Sequence, residues 1–217
     1  MTSQWQFTDG SSIPVGTMYC IGRNYAAHAK EMGAEVAPDP IVFLKPPAAY
    51  SGDNRVVRLP SFSADVHHEI ELVVVIGSDT DGCAAHDAWN YIAGITVGID
   101  LTARDVQAAA KANGHPWAVA KSWAGSAPCG PVIPAHQCGR GPWGISLAID
   151  GIVRQQGSTA HMERSVEELV SYLSHVFTLR AGDCIFTGTP EGVGPVRAGQ
   201  TATSMLNDAL LLTTAFA

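Results

Sequence analysis

Two carboxylates placed two residues apart inside an otherwise apolar run constrain this chain most. The segment His67-His68-Glu69-Ile70-Glu71-Leu72-Val73-Val74-Val75-Ile76-Gly77 reads as a buried β-strand. Successive strand side chains point to opposite faces, so Glu69 and Glu71 share one face. Two like charges in an apolar setting repel each other and lose hydration, at several kcal/mol per ion unless something positive compensates. A bound cation is the simplest compensation. Asp100 closes a second apolar run, Ile92-Ala-Gly-Ile-Thr-Val-Gly-Ile-Asp100, and is expected at the end of a neighbouring strand. Three carboxylates with no mandatory thiolate describe a site for a hard cation, Mg²⁺ or Mn²⁺.

An alternative places Glu69 and Glu71 on the solvent face of a half-exposed strand, with Ile70, Leu72 and Val74 facing the core. Val73 and Val75 argue against it, because they continue the glutamate face with apolar side chains. His67 falls on that face too, so a mixed histidine and carboxylate site for a transition metal stays open.

At 217 residues the chain suits one domain with a sizeable core, expected over 18–217, preceded by a short appendage at 1–17. A net charge of −7 without any Lys or Arg cluster gives no electrostatic footprint for nucleic acid. Charged residues make up 15% of the chain against 46% hydrophobic, which points to a surface partly covered by another subunit. The stretch 1–16 lacks the basic start and apolar centre of a signal peptide, and no apolar run is long enough to span a membrane, so a cytoplasmic protein is expected. The five cysteines, Cys20, Cys83, Cys129, Cys138 and Cys184, are scattered and odd in number, and read as reduced packing residues.

Short apolar runs punctuated by Gly and Pro, with few helical patterns, favour a β-rich α+β domain. One helix is expected from Asn24 to Gly33, capped by Asn24 and ended by Gly33, with His28 and Glu31 on one face. A second follows Asp100, where Thr102-Ala-Arg-Asp105 is a capping-box pattern and Ala-rich sequence runs to Gly114. Asp150-Gly151 between apolar strands signals a tight hairpin, and Ser165-Val-Glu-Glu168 opens a helix with Val166, Leu169, Val170 and Leu173 at helical spacing.

The Gly-rich segment Phe186-Thr187-Gly188-Thr189-Pro190-Glu191-Gly192-Val193-Gly194-Pro195 lacks the ending of a nucleotide-binding P-loop. It stands alongside Gly22-Arg-Asn-Tyr-Ala-Ala-His28, Phe43-Leu-Lys45-Pro, His68-Glu69-Ile-Glu71-Leu, Asp100-Leu-Thr-Ala-Arg104-Asp-Val-Gln107 and Pro116-Trp-Ala-Val-Ala-Lys121-Ser. With these motifs in this order, from about Met18 to Gln200, the chain resembles the fumarylacetoacetate hydrolase family. In particular it is similar to the small single-domain branch containing acylpyruvate hydrolases and oxaloacetate decarboxylases. The C-terminal stretch from Met205 matches the family's closing strands weakly.

The resemblance implies a fold of packed sheets forming a distorted roll, usually a homodimer, with Glu69, Glu71 and Asp100 holding Mg²⁺ or Mn²⁺. It implies hydrolysis of the C–C bond of an acylpyruvate, such as acetylpyruvate or fumarylpyruvate, to pyruvate and a carboxylic acid. Oxaloacetate decarboxylation at the same centre is the alternative, and isomerisation or decarboxylation in aromatic catabolism a third. The resemblance further makes His28 with Glu31 the water-activating pair and Lys121 the cation facing the substrate's developing enolate or carboxylate. Arg23 is expected to bind a distal carboxylate, Gln107 to position water or substrate, and Thr189 to hold the 1-carboxylate. On spacing alone, His28 and Glu31 would also fit an exposed helix pair, and Lys121 a snorkelling surface lysine. Lys45 matches a family motif without a physical role, and a lid is expected between Glu31 and Pro40.

Overall fold

The computed structural model describes residues 3–31 and 39–217. The architecture is α+β, built on a six-stranded sheet and a five-stranded sheet. The six-stranded sheet runs Ile133–Pro134, Ile92–Ile99, Ile70–Ile76, Cys184–Phe186, Met18–Gly22 and Ile41–Lys45. Its neighbours are antiparallel except Cys184–Phe186 against Met18–Gly22. The five-stranded sheet runs Ile152–Ser158, Gly144–Ile149, Thr201–Leu206, Ala209–Phe216 and Arg55–Val57. The C-terminal segment therefore forms two paired strands at the heart of this second sheet.

The central strand Ile70–Ile76 is buried on both faces, as its lack of polar alternation demands. Ile70, Leu72, Val74 and Ile76 face a cluster shared with Ile145, Leu147 and Leu212 of the second sheet and Leu169 and Leu173 of a helix. Val73 and Val75 face a second cluster with Trp5, Met18, Cys20, Cys184 and Phe186. Burial of each such side chain contributes roughly 1.5–3 kcal/mol. Trp5 belongs to a small hairpin, Gln4–Gln6 with Ser12–Pro14, and its indole N–H donates to the Gly182 carbonyl at 2.8 Å. The five cysteines are all free.

Among the described residues five α-helices decorate the sheets: α1 Ala26–Glu31, α2 Arg104–Ala112, α3 Ala118–Lys121, α4 Ala135–Cys138 and α5 Val166–Phe177. α5 starts as its sequence dictates, with Ser165 and Glu168 forming a reciprocal capping box and Val166, Leu169, Val170 and Leu173 buried. The Asp150-Gly151 turn takes positive φ at both residues, 51° and 78°, as a type I′ hairpin needs.

Two expected caps are not formed. Asn24 spends its side chain on tertiary bonds to Arg164 and the Thr187 carbonyl instead of capping α1, and Gly33 lies outside the described residues. Thr102 is taken into a short strand against His67, so α2 begins at Arg104, and Asp105 anchors Ser63 and Ala64. In both cases a long-range partner outcompetes the local one. The cap of α5 has no such rival, and Ser165→Ala is expected to lower stability by about 1 kcal/mol, read as a lower urea midpoint at unchanged slope.

Candidate active site and metal centre

The antiparallel register Ile70↔Ile99 and Glu71↔Gly98 brings the end of one central strand against the start of its neighbour. Asp100 thereby lies beside Glu69, and its N–H donates to the Glu69 carbonyl at 2.8 Å. The run expected as one continuous strand breaks at Glu69. Residues Val66–His68 pair outside the central sheet with Thr102–Ala103 and Gly194–Pro195, while Ile70–Ile76 pairs within it. The break does not separate the carboxylates. Glu69, Glu71 and Asp100 each offer an oxygen, and these lie within 4.8 Å of one another. At 5%, 2% and 0% exposure they exclude the solvent-face alternative. His67 turns away to Asp65, at 2.9 Å, which removes it from the cluster.

Charge compensation is uneven across the three. Lys121 Nζ lies 2.7 Å from Glu69 Oε2 and 2.5 Å from Asp100 Oδ2. Arg104 binds the other oxygen of Glu69. Lys45 lies 2.9 Å from Asp100 Oδ1. Glu71 has a hydrogen bond from the Gly188 N–H, at 2.6 Å, and no cationic side chain bonded to it among the described residues. The acidities follow. Burial and the charges of Asp100 and Glu69 push the Glu71 carboxyl well above the ordinary carboxylate range. Burial would raise Glu69 as well, but Lys121 and Arg104 outweigh it and hold Glu69 low. Burial opposes the charge on Lys121, yet Asp100 and Glu69 overcome it and raise the ammonium.

A cleft opens over this cluster, lined by Arg23, His28, Phe43, Glu69, Glu71, Asp100, Arg104, Gln107, Lys111, Trp117, Lys121 and Thr189. Every residue to which the resemblance gives a role, except Glu31, is in that lining, and Glu31 is tied to it through His28. The imidazole Nδ1 of His28 lies 3.2 Å from Glu31 Oε2. A carboxylate paired in this way accepts from Nδ1–H, the arrangement that in a neutral imidazole puts the free lone pair on Nε2. The other Glu31 oxygen accepts from the Gly192 N–H at 3.2 Å, so the Gly-rich loop fixes the pair. His28 is 7% exposed, unlike a surface helix histidine. Lys121 is 2% exposed, with its ammonium 4.8 Å above the Phe43 ring, and does not snorkel. Gln107 is buried and accepts from Arg104 Nη1 at 2.8 Å.

Gly188 shows why this loop needs glycine. It sits at φ +101°, and a Cβ there would lie 2.7 Å from the Asn24 Cβ. Three further residues escaped sequence reasoning. Lys45 is fully buried, and besides Asp100 it donates to the Leu101 carbonyl at 3.3 Å and the Ser126 carbonyl at 3.1 Å. A lysine ending an apolar strand was the available signal. Arg104 was readable as a helix-start cation near Asp100. Gln155, 1% exposed on the Ile152–Ser158 strand, left no local trace. The expected lid between Glu31 and Pro40 falls mainly on residues 32–38, outside those described.

The donor set suits a divalent hard cation: three carboxylates, with no imidazole or thiolate in the cluster among the described residues. The deficit concentrates on Glu71, so metal binding must displace its proton, and affinity should fall as pH is lowered. Because the folded-state pKa of Glu71 is raised, its contribution destabilises the metal-free fold as pH climbs from about 4.3 toward that raised value. A cation reverses this. Added Mg²⁺ at a hundred times its Kd should stabilise the protein by about 2.7 kcal/mol, seen as a rise in Tm. Glu71→Gln, a neutral isostere, should keep the metal-free Tm and lose the rise; an undiminished rise would remove Glu71 from the ligand set.

The model for the fumarylacetoacetate (FAA) hydrolase C-terminal family matches residues 17–212. The chain is 43% identical over 203 residues to the mitochondrial oxaloacetate tautomerase FAHD1 of Arabidopsis thaliana, covering 93% of this chain and 88% of that relative. It is 42% identical over 192 residues to the oxaloacetate tautomerase YcgM of Escherichia coli K12, covering 88% of each. Among solved structures it is similar to the fumarylpyruvate hydrolase of Pseudomonas aeruginosa in complex with Mn²⁺ and pyruvate. That match has a TM-score of 0.94 at 38% identity, over 99% of this chain and 95% of the other. The sheets, the buried carboxylate cluster and these likenesses agree, and the chain belongs to the fumarylacetoacetate hydrolase family of enzymes.

Proposed function

We propose that the protein is a divalent-metal-dependent hydrolase that cleaves the C3–C4 bond of an acylpyruvate to pyruvate and a carboxylic acid. The observation that carries this reading is the presence of His28, held by Glu31, in the same cleft as the carboxylate cluster and Lys121. A purely structural metal site has no use for an oriented imidazole. Glu69, Glu71 and Asp100 would hold the ion, Mg²⁺ or Mn²⁺, which supplies Lewis-acid polarisation of the 2-oxo group. The relative from Pseudomonas aeruginosa, solved with Mn²⁺ and pyruvate, supports the choice of ion and product class.

His28 Nε2 takes a proton from water as the water oxygen bonds to C4. The C3–C4 bond then breaks, its electron pair passes into the enolate of pyruvate, and the new C4–O bond remains in the released acid. The proton gained by His28 is available for return to C3. Lys121 gives two N–H bonds to Glu69 and Asp100, leaving a third donor for developing negative charge on the substrate oxygen. Gln107, buried against Arg104, would orient water or substrate, and Thr189 in the cleft lining would bind the 1-carboxylate.

A second reading has oxaloacetate as substrate. It is supported by the cations Arg23, Arg104 and Lys111 in the cleft lining, which suit a second carboxylate, and by the relatives named oxaloacetate tautomerases. Decarboxylation needs no attacking water, and tautomerisation needs only a proton moved at C3. Pyruvate release from acetylpyruvate, fumarylpyruvate and oxaloacetate by metal-stripped protein, with and without Mg²⁺, separates hydrolysis from decarboxylation, and loss of enol-oxaloacetate absorbance without pyruvate release marks tautomerisation. His28→Ala should cut hydrolysis by about 10²–10⁴-fold while largely sparing decarboxylation. Equal loss of both would contradict water activation by His28.

The low share of charged residues, with Leu44 on the edge strand and Val119 on α3 exposed at 45% and 63%, supports a homodimer. Sedimentation equilibrium should return twice the chain mass, and a monomer mass would refute the dimer. No helix among the described residues is long and apolar enough to cross a membrane.

A further inference from the structure

Gln155 lies outside the cleft lining, on the second sheet, yet its amide joins three parts of the site. Its Oε1 accepts from the Ile70 backbone N–H at 3.0 Å and from His68 Nδ1 at 2.8 Å. Its Nε2 donates to the Pro190 carbonyl at 2.9 Å and to Thr189 Oγ1 at 2.8 Å. The amide cannot be turned over, because the Ile70 N–H can only donate and the Pro190 carbonyl can only accept. Both hydrogens of Nε2 are therefore committed, and Thr189 Oγ1 must be the acceptor in its bond with Gln155.

This fixes what Thr189 presents to the cleft. The hydroxyl has one proton, and with its oxygen receiving from Gln155 that proton has no acceptor among the described residues. Thr189 is only 4% exposed, and it lines the cleft over the carboxylate cluster. A buried O–H left without an acceptor is costly, and a neutral donor gains most from an anionic oxygen. We infer that Gln155 is a positioning residue that holds the Thr189 hydroxyl as an obligatory donor to the carboxylate of the bound 2-oxo acid. The inference rests on the 2-oxo acid reading for the identity of that ligand. Pro190 takes part as well: its carbonyl, together with the Ile70 N–H, keys the amide so that the polarity cannot reverse.

Oxalate, a small chelating dicarboxylate, probes this binding without turnover in titration calorimetry of the Mg²⁺-loaded protein. Thr189→Val should weaken oxalate by about 10- to 100-fold, and Thr189→Ser should bind nearly as wild type. Gln155→Glu puts an acceptor opposite Thr189, draws the hydroxyl proton toward itself, and should weaken oxalate to a similar extent. In the Thr189→Val background the same Gln155→Glu change should add nothing further. With substrate, the variants should raise KM and leave kcat within a few-fold, because the contact is made to substrate and transition state alike.

Equal weakening by Gln155→Glu in both backgrounds would show a merely structural role and overturn the relay. If Gln155→Glu does not fold, Thr189→Val alone decides: binding of oxalate as tight as wild type would refute the donor role. Failure of the wild type to bind oxalate in the presence of Mg²⁺ would instead bring down the 2-oxo acid reading, and the ligand assigned to Thr189 with it.

Discussion

The burial of three carboxylates at one end of the central sheet is the constraint on which the rest of this structure depends. Each buried ion carries a desolvation penalty of several kcal/mol, and the penalty grows when like charges share a site. The chain answers with cations drawn from distant segments: Lys45 from an edge strand, Lys121 from α3 and Arg104 from the start of α2. Their placement leaves Glu71, among the described residues, as the carboxylate without a bonded cationic side chain, and it is there that a bound cation would replace a proton. Lys45, which had no evident purpose in the sequence, belongs to this compensation, and by also binding backbone carbonyls it locks the edge strand to the loop around Ser126.

The Gly-rich loop from Phe186 to Pro195 is where structure and chemistry join. It supplies the Gly188 N–H to Glu71, the Gly192 N–H to Glu31 and the Thr189 hydroxyl to the cleft. Each contact needs backbone to approach a side chain closely, which is why the loop is rich in glycine rather than why it binds any particular ligand. Through Gln155 the loop is also bonded to the second sheet. The cleft is therefore held by both sheets, and a substitution far from the cluster can change how substrate is bound without touching it.

The same constellation accommodates several reactions because they share one requirement, stabilisation of negative charge on a 2-oxo acid as a bond at C3 changes. Hydrolysis adds the demand for an activated water, the task that the proposed function gives to His28, held by Glu31. Decarboxylation and tautomerisation make smaller demands on that imidazole. The cations lining the cleft complement anionic groups, and charge of this kind bears on affinity and choice of ligand more than on a chemical step.

Local physics made much of this protein legible from its sequence. Period-2 geometry and apolar continuity identified the buried run that carries Glu69 and Glu71 on one side, and the end of the next apolar run identified Asp100. The α5 cap and the Asp150-Gly151 turn were readable for the same reason: their partners lie within a few residues. Tertiary structure decided what depends on long-range pairing. It broke the strand at Glu69 by changing its sheet partner, took Asn24 and Thr102 away from their expected caps, and closed the C-terminal strands into the second sheet. It also recruited Lys45 and Gln155, whose partners lie tens of residues away. A carboxylate in an apolar run announces by itself that compensation is needed, since the cost is local. Which group compensates is set by the packing of distant segments, and only the folded chain brings those together.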